Sequence, residues 1–121
     1  MNTKEYFVTY SILVNAAQHH GFATYQEIAL SNRLPLIGNQ MGSQVGDIIG
    51  LISENEISQG RPMLSAIVVG VSGKPGGGLY EWAKKLGVMT EGEDEETFWR
   101  KECEKVYEEW RISYPYRKIR E

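Results

Sequence analysis

Between Asn39 and Asn55 the chain places Met41, Val45, Ile48, Ile49 and Ile52 at i, i+4, i+7, i+8 and i+11. That spacing puts five apolar side chains on one stripe of an α-helix. Beside the stripe runs a second track of small residues, Gly42, Gly46, Gly50 and Ser53. An interior glycine costs a helix roughly 1 kcal/mol relative to alanine. The track therefore predicts a close backbone approach by something, with the short helix that precedes it in sequence as the expected neighbour. The remaining face would show Gln40, Ser43, Gln44, Asp47 and Glu54. The plain reading of that face is a solvated polar surface over a core helix.

Two helices are expected before this one. The first spans about Thr3 to His20, with Tyr6, Tyr10, Leu13, Val14 and Ala17 on one side and Gly21 at the left-handed stop position. His19 and His20 fall in its last turn. Adjacent residues on a helix point about 100° apart, so they read as end decoration and not as a metal pair. The second helix opens at Thr24 and Glu27, the S/T-x-x-E spacing of a capping box, and carries Tyr25, Ile28, Ala29 and Leu30, with Asn32 as its left-handed end. A linker with Leu34, Pro35, Leu36 and Gly38 follows.

Past Gly60 the pattern changes. Met63 to Val71 is rich in β-branched residues without helical spacing and reads as a strand. SGKPGGG is a loop, Leu79 to Leu86 a short helix stopped by Gly87, and Asp94 to Arg111 a last helix with acidic residues in its first turn. Phe98, Trp99, Cys103, Val106, Tyr107 and Trp110 form the buried stripe of that helix, which makes Cys103 an inert core thiol. The tail ISYPYRKIRE is basic, and Pro115 ends any helix before it. The expected fold is thus an α+β, mostly helical single domain. Its parts are a helical region (1–60), a strand and loop (61–78), C-terminal helices (79–111) and a basic tail (112–121).

Three helices, then a strand and a glycine-rich loop, resemble a winged-helix domain. TYQEIA followed by Gln44, Val45 and Gly46 is similar to the DNA-binding domain of the alkylguanine-DNA alkyltransferase and alkyltransferase-like family. The resemblance covers about residues 20 to 80 and implies a helix-turn-helix that docks on DNA. Its chemistry does not carry over. Pro62 stands for the proline before the reactive cysteine, but Met63 occupies the cysteine position, Leu64 and Ser65 replace the histidine and arginine after it, and Ser43 replaces the base-displacing arginine. A thioether cannot act as the activated thiolate, so alkyl transfer is excluded on this alignment.

Composition narrows the remaining choices. The 121 residues carry a net charge of −3, but residues 61–90 are basic, with Arg61, Lys74, Lys84 and Lys85 against Glu81 alone. One cysteine permits neither an internal disulfide nor a thiolate zinc cluster. No apolar run approaches the roughly 18 residues of a membrane helix, and the start MNTKEYFVTY lacks a secretory layout, so a cytoplasmic chain without membrane contact is expected. The loop at Gly76, Gly77 and Gly78 is not a phosphate cradle by pattern. Lys74 is followed by Pro75 where a Walker loop needs a hydroxyl, and no second βα unit is present. No nucleophile stands near a base in sequence, and the carboxylates from Glu91 to Glu96 are too consecutive to converge. These features predict a protein without catalysis, cofactor or metal.

Two functions stay open, and the sequence puts the first of them ahead. One is a nucleic-acid-binding accessory or regulatory protein that docks DNA through Gln40, Ser43 and Gln44 to base edges and Arg61 and Lys74 to phosphates. Against it, the third helix holds no lysine or arginine and carries Asp47 and Glu54. The other is a protein-interaction module, an adaptor, a homodimer or an inhibitor of a larger complex. It would use the third helix and the aromatics Tyr80, Trp82, Phe98, Trp99, Tyr107, Trp110, Tyr114 and Tyr116, unless the last helix packs across the loop and hides them.

Overall fold

The computed structural model describes residues 2–36 and 38–112. It is a mostly helical α+β arrangement of α1 (Thr3–Gln18), β1 (Ala23–Thr24), α2 (Tyr25–Ser31), α3 (Gly38–Ser58), a 3₁₀ turn (Leu64–Ile67), β2 (Val68–Val69), α4 (Gly78–Lys85) and α5 (Glu95–Glu109). The two short strands pair in parallel, Ala23 with Val68 and Thr24 with Val69. The tail residues 113–121, with Tyr114, Pro115 and Tyr116, lie outside the described residues.

The helix starts are decided locally. At α2 the Thr24 hydroxyl accepts from the Glu27 N–H at 3.1 Å while the Glu27 carboxylate accepts from the Thr24 N–H at 3.1 Å. This is the capping box the sequence predicts. Asn2 and Glu5 form a second one at α1, at 2.8 and 2.9 Å. Asp94 caps α5 through the Thr97 N–H at 2.9 Å.

Two helix ends differ from expectation, and in each a tertiary contact outweighs the local preference. The left-handed residue after α1 is His20 (φ 54°), not Gly21. The His20 ring stacks on Tyr107 with centroids 4.7 Å apart, and the Tyr107 hydroxyl donates to the Gly21 carbonyl at 2.8 Å. After α2 the left-handed residue is Arg33 (φ 57°), not Asn32. The Asn32 amide instead donates to Thr9 Oγ1 and to the Ile28 carbonyl, both at 2.9 Å, tying α2 to α1.

The largest correction falls on Met63–Val71, read from sequence as one strand. Only Val68 and Val69 are strand, and Leu64–Ile67 forms a turn of 3₁₀ helix. All seven residues from Met63 to Val69 are buried. A strand sends side chains to two faces only, whereas this segment is surrounded by α1, α3 and α5 and must fill space on every side. Its backbone groups are satisfied by side chains in place of a ladder. The Met63 N–H donates to Glu102 Oε2 at 2.9 Å and the Ser65 N–H to Ser53 Oγ at 3.0 Å. The Ala66 carbonyl accepts from Trp99 Nε1 at 2.8 Å. Buried peptide groups demand such partners.

One hydrophobic cluster runs from Leu13 and Ala17 of α1 through Ile28, Val45, Ile48 and Ile52 to Phe98 and Val106 of α5. The α3 stripe thus faces inward as its spacing predicts. Phe98 is buried, and Tyr80, Trp82, Trp99, Tyr107 and Trp110 all pack against the cluster. Within the described residues the C-terminal aromatics are therefore largely absorbed by packing. Two carboxylates also enter the interior, Glu56 (1% exposed) and Glu102 (3% exposed). Cys103 is buried and its thiol is pushed up to about 12 by burial first and then by Glu102 and Glu104.

Candidate binding groove

The small-residue track of α3 does not serve a close approach by α2. A Cβ built on Gly42 or Gly46 meets nothing within 4 Å. The two glycines open onto a groove of about 460 Å³ between α3, the glycine loop and α4. Only Gly50 of the track is approached. Trp82 of α4 donates its indole Nε1–H to the Gly50 carbonyl at 2.9 Å, and a Cβ there would sit 3.7 Å from that nitrogen. Gly50 brings the α4 indole onto the helix backbone, and Gly42 and Gly46 extend the resulting trough towards the start of α3.

Tyr25, the first residue of α2, also lines the groove. A Cβ on Gly76 would collide with the Tyr25 hydroxyl. Gly76 therefore lacks a side chain for a reason of space, while Gly73 (φ 79°) lies in the left-handed region that the loop's turn requires. Burial raises the Tyr25 phenol above its ordinary range, partly offset by its hydrogen bond to the Gly76 backbone. It stays a neutral hydroxyl at physiological pH.

Ile49, Leu79 and Ser65 complete the lining. Ser65 is 6% exposed, and its Oγ accepts from Ser53 Oγ at 2.6 Å while Ser53 Oγ accepts the Ser65 N–H. An alcohol is no general base, so this pair orients a hydroxyl into the groove without activating it. Ser43, Asp47 and Glu54 form the rim. Asp47 and Glu54 are exposed, and neither ion-pairs among the described residues. The groove is thus lined mainly by apolar groups, holds a few hydroxyls and is acidic at its mouth.

The five residues expected to contact nucleic acid are not gathered at one place. Gln40 and Ser43 are exposed on the first half of α3, and Ser43 reaches the groove. Gln44 is half-buried, and its Oε1 is buried without a partner among the described residues. Arg61 forks onto Glu56, with Nε to Oε1 at 2.9 Å and Nη2 to Oε2 at 2.7 Å, and lies over Trp110 at 5.9 Å. Lys74 pairs with Glu96 at 3.2 Å and lies over Trp99 at 5.3 Å. Trp99 and Trp110 are eleven residues apart on and just beyond α5, so their two cations are spread over roughly 16 Å of helix. Arg61 and Lys74 therefore have separate partners and do not form one patch.

Tyr25 and Ser65 are not singled out as site residues by the sequence, whereas Trp82 is named among the aromatics of the protein-interaction reading. The readable sign was the glycine track itself, whose cost in helix propensity finds no compensating contact at Gly42 and Gly46. No described helix is long and apolar enough to cross a membrane. In comparisons with known proteins, the chain matches no family model, no curated protein and no solved structure.

Proposed function

We propose that this chain is a non-catalytic, winged-helix-like docking module that binds a protein partner through the groove between α3 and α4. The observation that carries this reading is the open 460 Å³ groove at Gly42 and Gly46. Its volume falls in the range of sites that enclose one ligand or one large anchoring side chain. The mouth is acidic, and the two cations expected to meet phosphates are held by Glu56 and Glu96. This balance suits a protein surface better than a polyanion. The partner is a different protein or a second copy of the chain. The Cβ of Gly46→Leu meets nothing within 4 Å, so the side chain projects into the groove, and circular dichroism checks that the variant is folded. Affinity capture with quantitative mass spectrometry, together with sedimentation for self-association, should show a partner held by the wild type and lost by Gly46→Leu. An identical partner set and mass for both forms would refute the reading.

The alternative, a nucleic-acid-binding accessory or regulatory protein, is favoured by one observation. The first turn of α3 has no acidic residue, Gln40 is exposed there and Ser43 is exposed in the next turn, at the end of a helix that DNA-reading helices present to base edges. A salt series on duplex DNA decides it, because phosphate-driven binding strengthens steeply as salt is lowered. Absence of binding at low salt would end this alternative.

A further inference from the structure

We infer that the groove is specific for a positively charged segment of its partner and takes an arginine side chain from it. This rests on the groove being a protein-docking site and adds the chemistry of the occupant. Ser43, Asp47, Gly50 and Glu54 are spaced i, i+4, i+7 and i+11, so they form one line along α3, and all four border the groove. Asp47 and Glu54 are two helical turns apart, or roughly 10 Å. Between them the wall is Gly50, on which the Trp82 indole rests, and the open way in runs along Gly42 and Gly46 beside Asp47. A cation entering along those glycines lies beside the exposed Asp47, with the exposed Glu54 on the same line of α3, and meets a wall that includes Ile49, Leu79, Trp82 and Tyr25.

An arginine fits this sequence of surroundings. Its three-carbon stem lies against apolar wall, its planar guanidinium packs well beside aromatic side chains, and its five N–H donors match carboxylate and hydroxyl oxygens. The groove supplies those acceptors as Asp47 and Glu54 at the mouth and the Ser65 and Tyr25 hydroxyls within. The track explains the entry path: any side chain at Gly42 or Gly46 would project into the volume the stem needs. Among the described residues neither lysine of α4 ion-pairs with Asp47 or Glu54: Lys84 pairs with Glu91 at 3.2 Å, and Lys85 lies over the Trp82 ring at 6.0 Å. A phosphate-bearing occupant would meet the two carboxylates first and be repelled.

The test is a titration of the full chain, labelled with ¹⁵N, against an arginine-containing hexapeptide. The same peptide with citrulline for arginine and a short DNA duplex serve as comparison probes. Saturable shifts of the Gly42, Gly46 and Gly50 amides and the Trp82 indole are expected with the arginine peptide. They should weaken at least tenfold with citrulline and in the variant carrying Asp47→Asn and Glu54→Gln, with unchanged circular dichroism. Those two changes lie on an exposed rim, so the variant folds. Equal binding of arginine and citrulline peptides, or binding undiminished in the double variant, would overturn the charge specificity and leave the groove reading intact. Shifts at these glycines produced by the duplex and not by the peptide would overturn the inference. Absence of any shift with the arginine peptide would overturn it as well, whereas docking itself is judged by partner loss in Gly46→Leu.

Discussion

Replacing Arg61 by alanine should unfold the protein far more readily than the loss of a surface cation would. Its guanidinium makes two hydrogen bonds to Glu56, at 2.9 and 2.7 Å, and that carboxylate is 1% exposed. Among the described residues the only other side chain bonded to Glu56 is the Tyr10 hydroxyl, at a long 3.3 Å. Removing one member of a buried ion pair costs about 3–5 kcal/mol, because the other charge is left without compensation. The Arg61 side chain is 32% exposed, so water can reach part of the vacated space, and the lower end of that range applies, about 3 kcal/mol. For a chain of this length that lowers Tm by about 12 °C, at about 4 °C per kcal/mol. Urea unfolding followed by tryptophan fluorescence measures it. Arg61→Lys should cost less but still destabilise, since an ammonium cannot reproduce the fork. Changing both partners, Arg61→Met with Glu56→Leu, should recover at least half of the loss, because no charge is then stranded. A loss under about 1 kcal/mol for Arg61→Ala, below the range for a buried pair, or a double variant no better than the single one, would refute the reasoning. Any fall in DNA binding on mutating Arg61 must be corrected for this loss of folded protein before it counts as a phosphate contact.

Gly46→Ala should raise stability by about 1 kcal/mol, since the new methyl meets nothing within 4 Å and the helix loses a glycine; a drop in the urea midpoint would show that the backbone there is packed after all. Cys103, its thiol held near 12 by burial, should not react with a disulfide reagent at pH 8 in the native state and should react at once in denaturant. Asp94, through its bonds to Thr97, and Glu96, through Lys74, are held below their ordinary values of 3.8 and 4.5. Their contribution is complete above those values and is lost as pH falls through the lowered ones, so the urea midpoint should decline as pH is lowered below about 4.5. In the variant with Asp94→Ala and Glu96→Ala that decline should be shallower.

What the sequence discloses is what depends on near neighbours. The Thr24–Glu27 box, the inward stripe of α3 and the left-handed Gly87 (φ 79°) are each set by residues within a few positions. Where a distant partner decides, the reading fails. His20 takes the left-handed conformation because Tyr107, 87 positions later, stacks on it. The Met63–Val71 run fits a strand by composition, and only the helices on every side of it make a 3₁₀ turn the better answer. Glu56 was not legible: the expected helix stops at Asn55, whereas α3 runs to Ser58 and carries Glu56 inward onto Arg61. The groove was legible only as an unexplained cost, because Tyr25, Gly76 and Trp82 come to α3 from separate parts of the chain.

The Leu64–Ile67 turn also bears on how the chain reaches its native state. It is the hub against which α1, α3 and α5 all rest, and it arrives in sequence after the first three helices and before the last two. The helices of residues 1–60 and α5 both pack on this turn, and α5 reaches α1 and the segment after it through Trp110 on Tyr10, Tyr107 on His20 and Trp99 on Phe22. Neither half can bury its apolar stripe by itself, so a fragment ending at Gly60 should be a poorly cooperative helical ensemble. Folding then becomes a single event governed by long-range closure around four residues, slower than the local helix content alone would suggest.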